Sequence, residues 1–117
     1  MKAAQTAGVR TPIDPTAVPA ARRFSPDQLR ALLEITSAVQ CECPNHVAKL
    51  VEALIAFEDY ARDCENRNEE DARIHALLYR SSGAARQVME DALIALCLFE
   101  GIPLPAGAAP AAQRVGG

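Results

Sequence analysis

Val47, Leu50, Leu54, Phe57, Ala61 and Cys64 recur at intervals of 3, 4, 3, 4 and 3 residues. A half-buried strand needs a period of two, whereas intervals of three and four line up side chains along one side of an α-helix. The same spacing seats knobs between the residues of a neighbouring helix. It predicts a helix over about 44–67, with Lys49, Glu52, Asp59, Arg62 and Asp63 on the opposite face.

The flanking segments are punctuated to match. Ser25 is placed to cap a first helix, with Pro26 at its first position, Asp27 beside the positive helix end and Gln28 completing a capping box. Phe24 and Leu29 stand where a hydrophobic staple joins them. Leu29, Leu32, Leu33, Thr36 and Val39 carry this helix to about residue 40, and Pro44 separates it from the next. Asn68 can cap a third helix whose first turn, Glu69, Glu70 and Asp71, is wholly acidic. This helix should run over 69–100 with Ile74, Leu78, Ser81, Ala85, Val88, Ala92, Leu96 and Phe99 inward, and stop at Gly101 before Pro103. Ser81-Ser82-Gly83 reads either as a patch of close approach or as a kink. The patch is preferred, because the apolar positions continue on both sides.

The connection between the second and third helices is short, which makes them antiparallel. With no Trp, three Phe and two Tyr, the core must be built from Leu, Ile, Val and Ala, which suits helix-on-helix packing. The expected fold class is therefore all-α: an antiparallel helical hairpin plus a third helix, a three-helix bundle open to completion by a partner. Pro and Gly gather at both ends, so residues 1–23 read as a flexible leader, 24–101 as the helical domain and 102–117 as a flexible tail. At 1.5 Å per residue the third helix is about 45 Å long and the first about 22 Å, so the first covers only part of the hairpin. Apolar surface near Phe57, Leu77 and Leu78 is left over as an interaction face for a second copy or a protein partner.

Charge narrows the function classes. The net −3 divides unevenly: residues 26–101 hold seven bases against fourteen acids, whereas residues 1–25 hold four bases and one acid. An acidic bundle repels phosphate backbones, so no autonomous DNA binding is expected, and Lys2, Arg10, Arg22 and Arg23 read as a solvated tail. Residues 1–25 lack the apolar run of a secretory signal, and no stretch has the roughly 20 apolar residues of a membrane span. A cytoplasmic location without membrane association is expected. On that basis the four cysteines, at 41, 43, 64 and 97, are read without a disulfide.

Cys41-Glu42-Cys43-Pro44-Asn45-His46 is the densest cluster of reactive side chains. Thiolates and imidazole hold zinc tetrahedrally, and a turn entering a helix can aim them at one point. Folding the hairpin about residue 69 places position 97 opposite 41, so Cys41, Cys43, His46 and Cys97 are the candidate ligands of a Zn site. The Cys-x-Cys spacing leaves two other readings open: structural cysteines, and a redox-active thiolate whose pKa the helix start lowers. Cys64 and His75 fall near each other across the hairpin, but no orienting group or oxyanion donor accompanies them. Neither histidine follows a Glu by three residues, which removes the ferritin-like pattern. Phosphate loops, nucleophile elbows and paired-His metalloprotease motifs are absent too. We read the chain as non-enzymatic.

The strings CECPNHVAKLVEAL, AFEDYARDCENRNEEDARIHALL and LFEGI, within Phe24 to Ile102, resemble a helical segment that accompanies the MerR-type helix-turn-helix in some proteobacterial regulators. The resemblance covers about two-thirds of the chain and implies an effector-sensing or association module appended to a DNA reader. The 23 residues before the first capped helix do not hold a winged helix-turn-helix, so DNA binding is not carried over. The chain is then expected to be a free-standing accessory module or part of a longer regulator. MerR-type regulators often sense metals or redox state through cysteines, which draws attention to Cys41 and Cys43, although the arrangement here differs. The function expected is a helical association module in bacterial transcriptional regulation; the alternative is a cysteine-based metal or redox sensor.

Overall fold

The computed structural model describes residues 15–105 and places three helices in chain order: α1, Pro26–Ser37; α2, Cys43–Asp63; and α3, Glu69–Glu100. No strand occurs among the described residues. The chain is all-α, with α2 and α3 forming an antiparallel hairpin and α1 packed against α2. Residues 1–14 of the expected leader, with Lys2 and Arg10, and residues 106–117 of the expected tail lie outside the described residues.

Each helix end has a local cause. At α1 the capping box forms: the Gln28 amide donates to Ser25 Oγ at 3.1 Å, and the Ser25 amide donates to Gln28 Oε1 at 2.7 Å. Phe24 and Leu29, the expected staple pair, are both buried. α1 stops at Ser37, short of the predicted residue 40. The Thr36 hydroxyl donates back to the Leu33 carbonyl, and the Asn45 side-chain amide donates to both groups, at 2.9 and 3.2 Å. Asn45 thus ties the end of α1 to the start of α2. α2 ends at Asp63 rather than 67, with Cys64 extended, because Asn66 turns to His75 and Arg67 to Asp71. Asn68 then caps α3 by accepting from the Asp71 amide at 2.8 Å.

At the far end, Gly101 sits at φ 72°, a left-handed conformation that a side chain would strain. Its amide and that of Ile102 donate to the Leu98 and Cys97 carbonyls, a Schellman closure with Ile102 buried beneath it. α3 is otherwise unbroken, including through Ser81-Ser82-Gly83. Gly83 is a point of close approach: a Cβ there would collide with the Pro19 ring and come within 2.9 Å of Glu58 Oε2. The segment before α1 therefore crosses α3 where only a glycine lets it.

The apolar core occupies the end of the hairpin that α1 covers. Leu29 and Leu32 of α1 join Ala48 and Val51 of α2, Leu93, Ile94 and Cys97 of α3, and Phe24 and Ile102 outside the helices. Both hairpin helices are rotated from the orientation their apolar stripes predict. Of the α3 positions expected inward, Ile74, Leu78, Val88 and Phe99 are exposed, Phe99 by 83%. Ser82, Gly83, Arg86, Glu90, Leu93 and Cys97 are buried instead. At 3.6 residues per turn, the expected and observed inward faces of α3 are about 145° apart. On α2 the rotation is about 90°, leaving Leu50 and Phe57 exposed while Ala48, Val51 and Glu58 are buried.

Candidate functional site: the open face of the hairpin

The rotation of the two helices has a polar cause. Arg86, 1% exposed, lies between α2 and α3. Its guanidinium donates to Glu58 from Nε at 2.8 Å and Nη2 at 3.2 Å, to Glu90 from Nη1 at 2.9 Å, and to the Ala20 carbonyl from Nη2 at 2.6 Å. Glu90 also accepts from the Arg23 backbone amide at 3.0 Å. Buried charges persist only when paired and hydrogen-bonded in this way. Burial raises the Glu90 carboxyl above its ordinary value, against the opposing pull of the Arg23 amide and the Arg86 guanidinium.

The incoming segment completes the arrangement. Arg22 pairs with Asp59 of α2 at 2.6 Å and Arg23 with Asp91 of α3 at 2.7 Å, so adjacent residues tie down opposite helices. Arg80 donates to the Thr16 carbonyl. Sequence reasoning placed Arg22 and Arg23 in a solvated tail. Arg86 and Glu90, four residues apart and following a run of small residues, were the signal for a buried pair.

On each hairpin helix, the α2–α3 contact lies between the residues that meet α1 or the incoming segment and the exposed stripe. On α2, Asn45 and Ile55 look toward α1 and Glu58 toward α3, and beyond Glu58 come Leu54, Leu50 and Phe57. On α3, Gly83 and Asp91 meet the incoming segment and Arg86 meets α2, and beyond them come Leu78, Ile74 and Val88. The two stripes consequently share the hairpin face turned away from α1. Phe57, Leu77 and Leu78, the residues left over in the sequence, are 41%, 49% and 37% exposed. The Phe57 and Tyr60 rings stack with centroids 6.1 Å apart. From Ile74 to Phe99 the stripe on α3 contains no charged side chain.

The candidate metal ligands do not gather. Cys41 and Cys43 contact each other, but His46 is exposed, with Nε2 3.4 Å from Glu42 Oε1, and Cys97 is buried in the apolar core. Opposite Cys41 across the hairpin stands Glu100 rather than Cys97, because the α2 helix ends early and shifts the pairing. No group of three or more His, Cys, Asp or Glu among the described residues is arranged to hold a metal ion. The Cys43 backbone amide lowers the Cys41 pKa, but the Cys43 thiol, burial and Glu100 together push it above the ordinary value. Desolvation raises Cys97 as well. His75 Nδ1 is engaged by Asn66 Oδ1 at 2.6 Å, in a shallow depression of about 200 Å³ that Cys64 does not line.

Among the described residues no helix is long and apolar enough to cross a membrane. The chain matches no protein-family model, no curated protein and no solved structure.

Proposed function

We propose that this chain is a non-enzymatic helical association module whose working surface is the open hairpin face, joining it to a second copy or to a helical protein partner. In the setting that the MerR-type resemblance implies, the module serves a bacterial regulator that reads DNA elsewhere. One observation carries the reading: α2 and α3 bury an ionic network and expose their apolar repeats, with Leu50, Phe57, Ile74, Leu78 and Val88 all open. Large apolar patches on an otherwise charged domain mark association surfaces. Light scattering over a range of concentrations tests it. The wild type should self-associate or capture a helical partner. Val88→Glu and Leu78→Glu should abolish this without loss of helical circular dichroism. A wild type that stays monomeric at high micromolar concentration and binds no helical partner overturns it.

The contact between Cys41 and Cys43 supports a second reading, thiol-based sensing. Two thiols would give two protons and two electrons to hydrogen peroxide, forming a disulfide and two water molecules, and the change would fall where α1 joins α2. Counting free thiols by mass spectrometry before and after stoichiometric peroxide tests it. Loss of both thiols together, within one chain, is the expected result; unchanged thiols overturn it.

A further inference from the structure

On the open face, α3 presents Ile74, Leu78, Ser81, Ala85, Val88 and Ala92 at intervals of 4, 3, 4, 3 and 4, and Ala95 and Phe99 continue the series. This is a 3.5-residue repeat, and a repeat of that period is a seam for another helix. Within the described chain no helix covers it: α1 packs on α2, and the incoming segment crosses the other face.

We propose that the seam is filled by the same helix of a second copy, running antiparallel, with Ala85 of one chain opposite Val88 of the other. This rests on the association reading above. Residue size is the first argument. In that register Leu78 meets Ala95 and Ser81 meets Ala92, so the central layers set large against small or small against small and let the helices approach closely. At each end Ile74 meets Phe99, where a crossing pair of helices diverges and a larger volume must be filled. Leu77 and Leu98, exposed by 49% and 59%, flank the seam and come within two residues of each other in this register. A parallel pairing instead sets each residue against itself, which stacks Leu78 on Leu78 and leaves Ala85 and Ala92 facing voids.

Charge is the second argument. Glu69, Glu70 and Asp71 form the first turn of α3. Parallel helices would bring both acidic turns together, six carboxylates in all, whereas the antiparallel register separates them by about 50 Å along the helix axis. The seam itself carries no charge, so an acidic domain meets its copy there without opposing like charges. Glu58 pairs with Arg86 across the antiparallel hairpin, which sets Phe57 at the level of Gln87, between Ala85 and Val88 and beside the middle of the contact.

The test is disulfide cross-linking in full-length protein carrying Cys41→Ser, Cys43→Ser and Cys64→Ser, with the buried Cys97 retained. Leu78→Cys and Ala95→Cys are made separately, checked for helical circular dichroism, and oxidised alone and as an equimolar mixture. The mixture should give several-fold more covalent dimer than either variant alone. Dimers in which each variant links to itself as well as in the mixture, or in which none links, overturn the antiparallel register while the association reading stands. A protein that is monomeric by light scattering overturns self-pairing, and capture of a helical partner in its place would leave only the broader reading.

Discussion

Arg86 donates two hydrogen bonds to the Glu58 carboxylate, Nε to Oε1 at 2.8 Å and Nη2 to Oε2 at 3.2 Å, across the contact between α2 and α3 and away from solvent. Removing one partner from such a pair leaves a buried charge uncompensated. Arg86→Ala should therefore destabilise the fold by about 3–5 kcal/mol. Replacing Arg86, Glu58 and Glu90 together by Met or Leu should cost far less or stabilise the protein. Urea unfolding of the single and triple variants compares the two, and a triple variant as unstable as Arg86→Ala would contradict the argument.

Glu90 gives the stability a pH dependence with a defined sign. Its carboxyl is raised, chiefly by burial, above the ordinary 4.5, so the folded chain keeps this proton to higher pH than the unfolded chain. The contribution is fully present below pH 4.5 and is lost as pH rises through the folded value. Asp71, lowered below 3.8 mainly by its hydrogen bond from Arg67, acts in the opposite sense: its contribution is present above 3.8 and lost as pH falls through its folded value. Glu90→Gln should flatten the decline above pH 4.5 and leave the acid limb in place. Urea midpoints measured from about pH 3 to 8 report both limbs.

At Gly83 two effects compete. Alanine in a helix is better than glycine by about 1 kcal/mol, but its Cβ here would strike Pro19 and crowd Glu58. Overpacking costs about 1–3 kcal/mol, so Gly83→Ala should be net destabilising and should raise amide exchange around residues 19–23. Adding Pro19→Gly should recover much of the loss, a coupling that a double-mutant cycle measures directly.

The thiols should differ in reactivity. Exposed Cys43 should alkylate first. Cys41 should lag behind it, since the Cys43 backbone amide is outweighed by the Cys43 thiol, burial and Glu100, which raise its pKa. Cys97, in the core and raised by desolvation, should react only on unfolding. Mass spectrometry of partly labelled protein gives the order, and early labelling of Cys97 would mean that the α1-covered end opens readily.

The capping box at Ser25, the glycine stop at residue 101 and the antiparallel hairpin were legible in the sequence, because each is written in a few adjacent residues whose backbone demands are strong. The facing of α2 and α3 was not. Periodicity identifies a stripe but not which of two amphipathic faces meets its own chain. Leu50, Phe57 and Val88 made the apolar stripe the natural choice for the interior. Arg86, Glu58 and Glu90 decided otherwise, through hydrogen bonds linking residues 28 and 66 positions apart that no local pattern expresses. The zinc-ligand set depended on pairing positions 41 and 97 across the hairpin. The early end of α2 at Asp63 shifted that pairing and left Cys41 opposite Glu100.

α3 meets α2 and the segment before α1, and it contains no hinge, since its 32 residues run unbroken from Glu69 to Glu100. A rod of this kind cannot answer a local push by bending near it. Pressure on the segment seated at Gly83 must tilt the whole helix, and over the arm of about 26 Å from Gly83 to Glu100 a tilt of about 5° carries that end through about 2 Å. The crossing at Gly83 is thus a fulcrum, and the apolar seam and the Gly101 terminus ride on the arms of one lever.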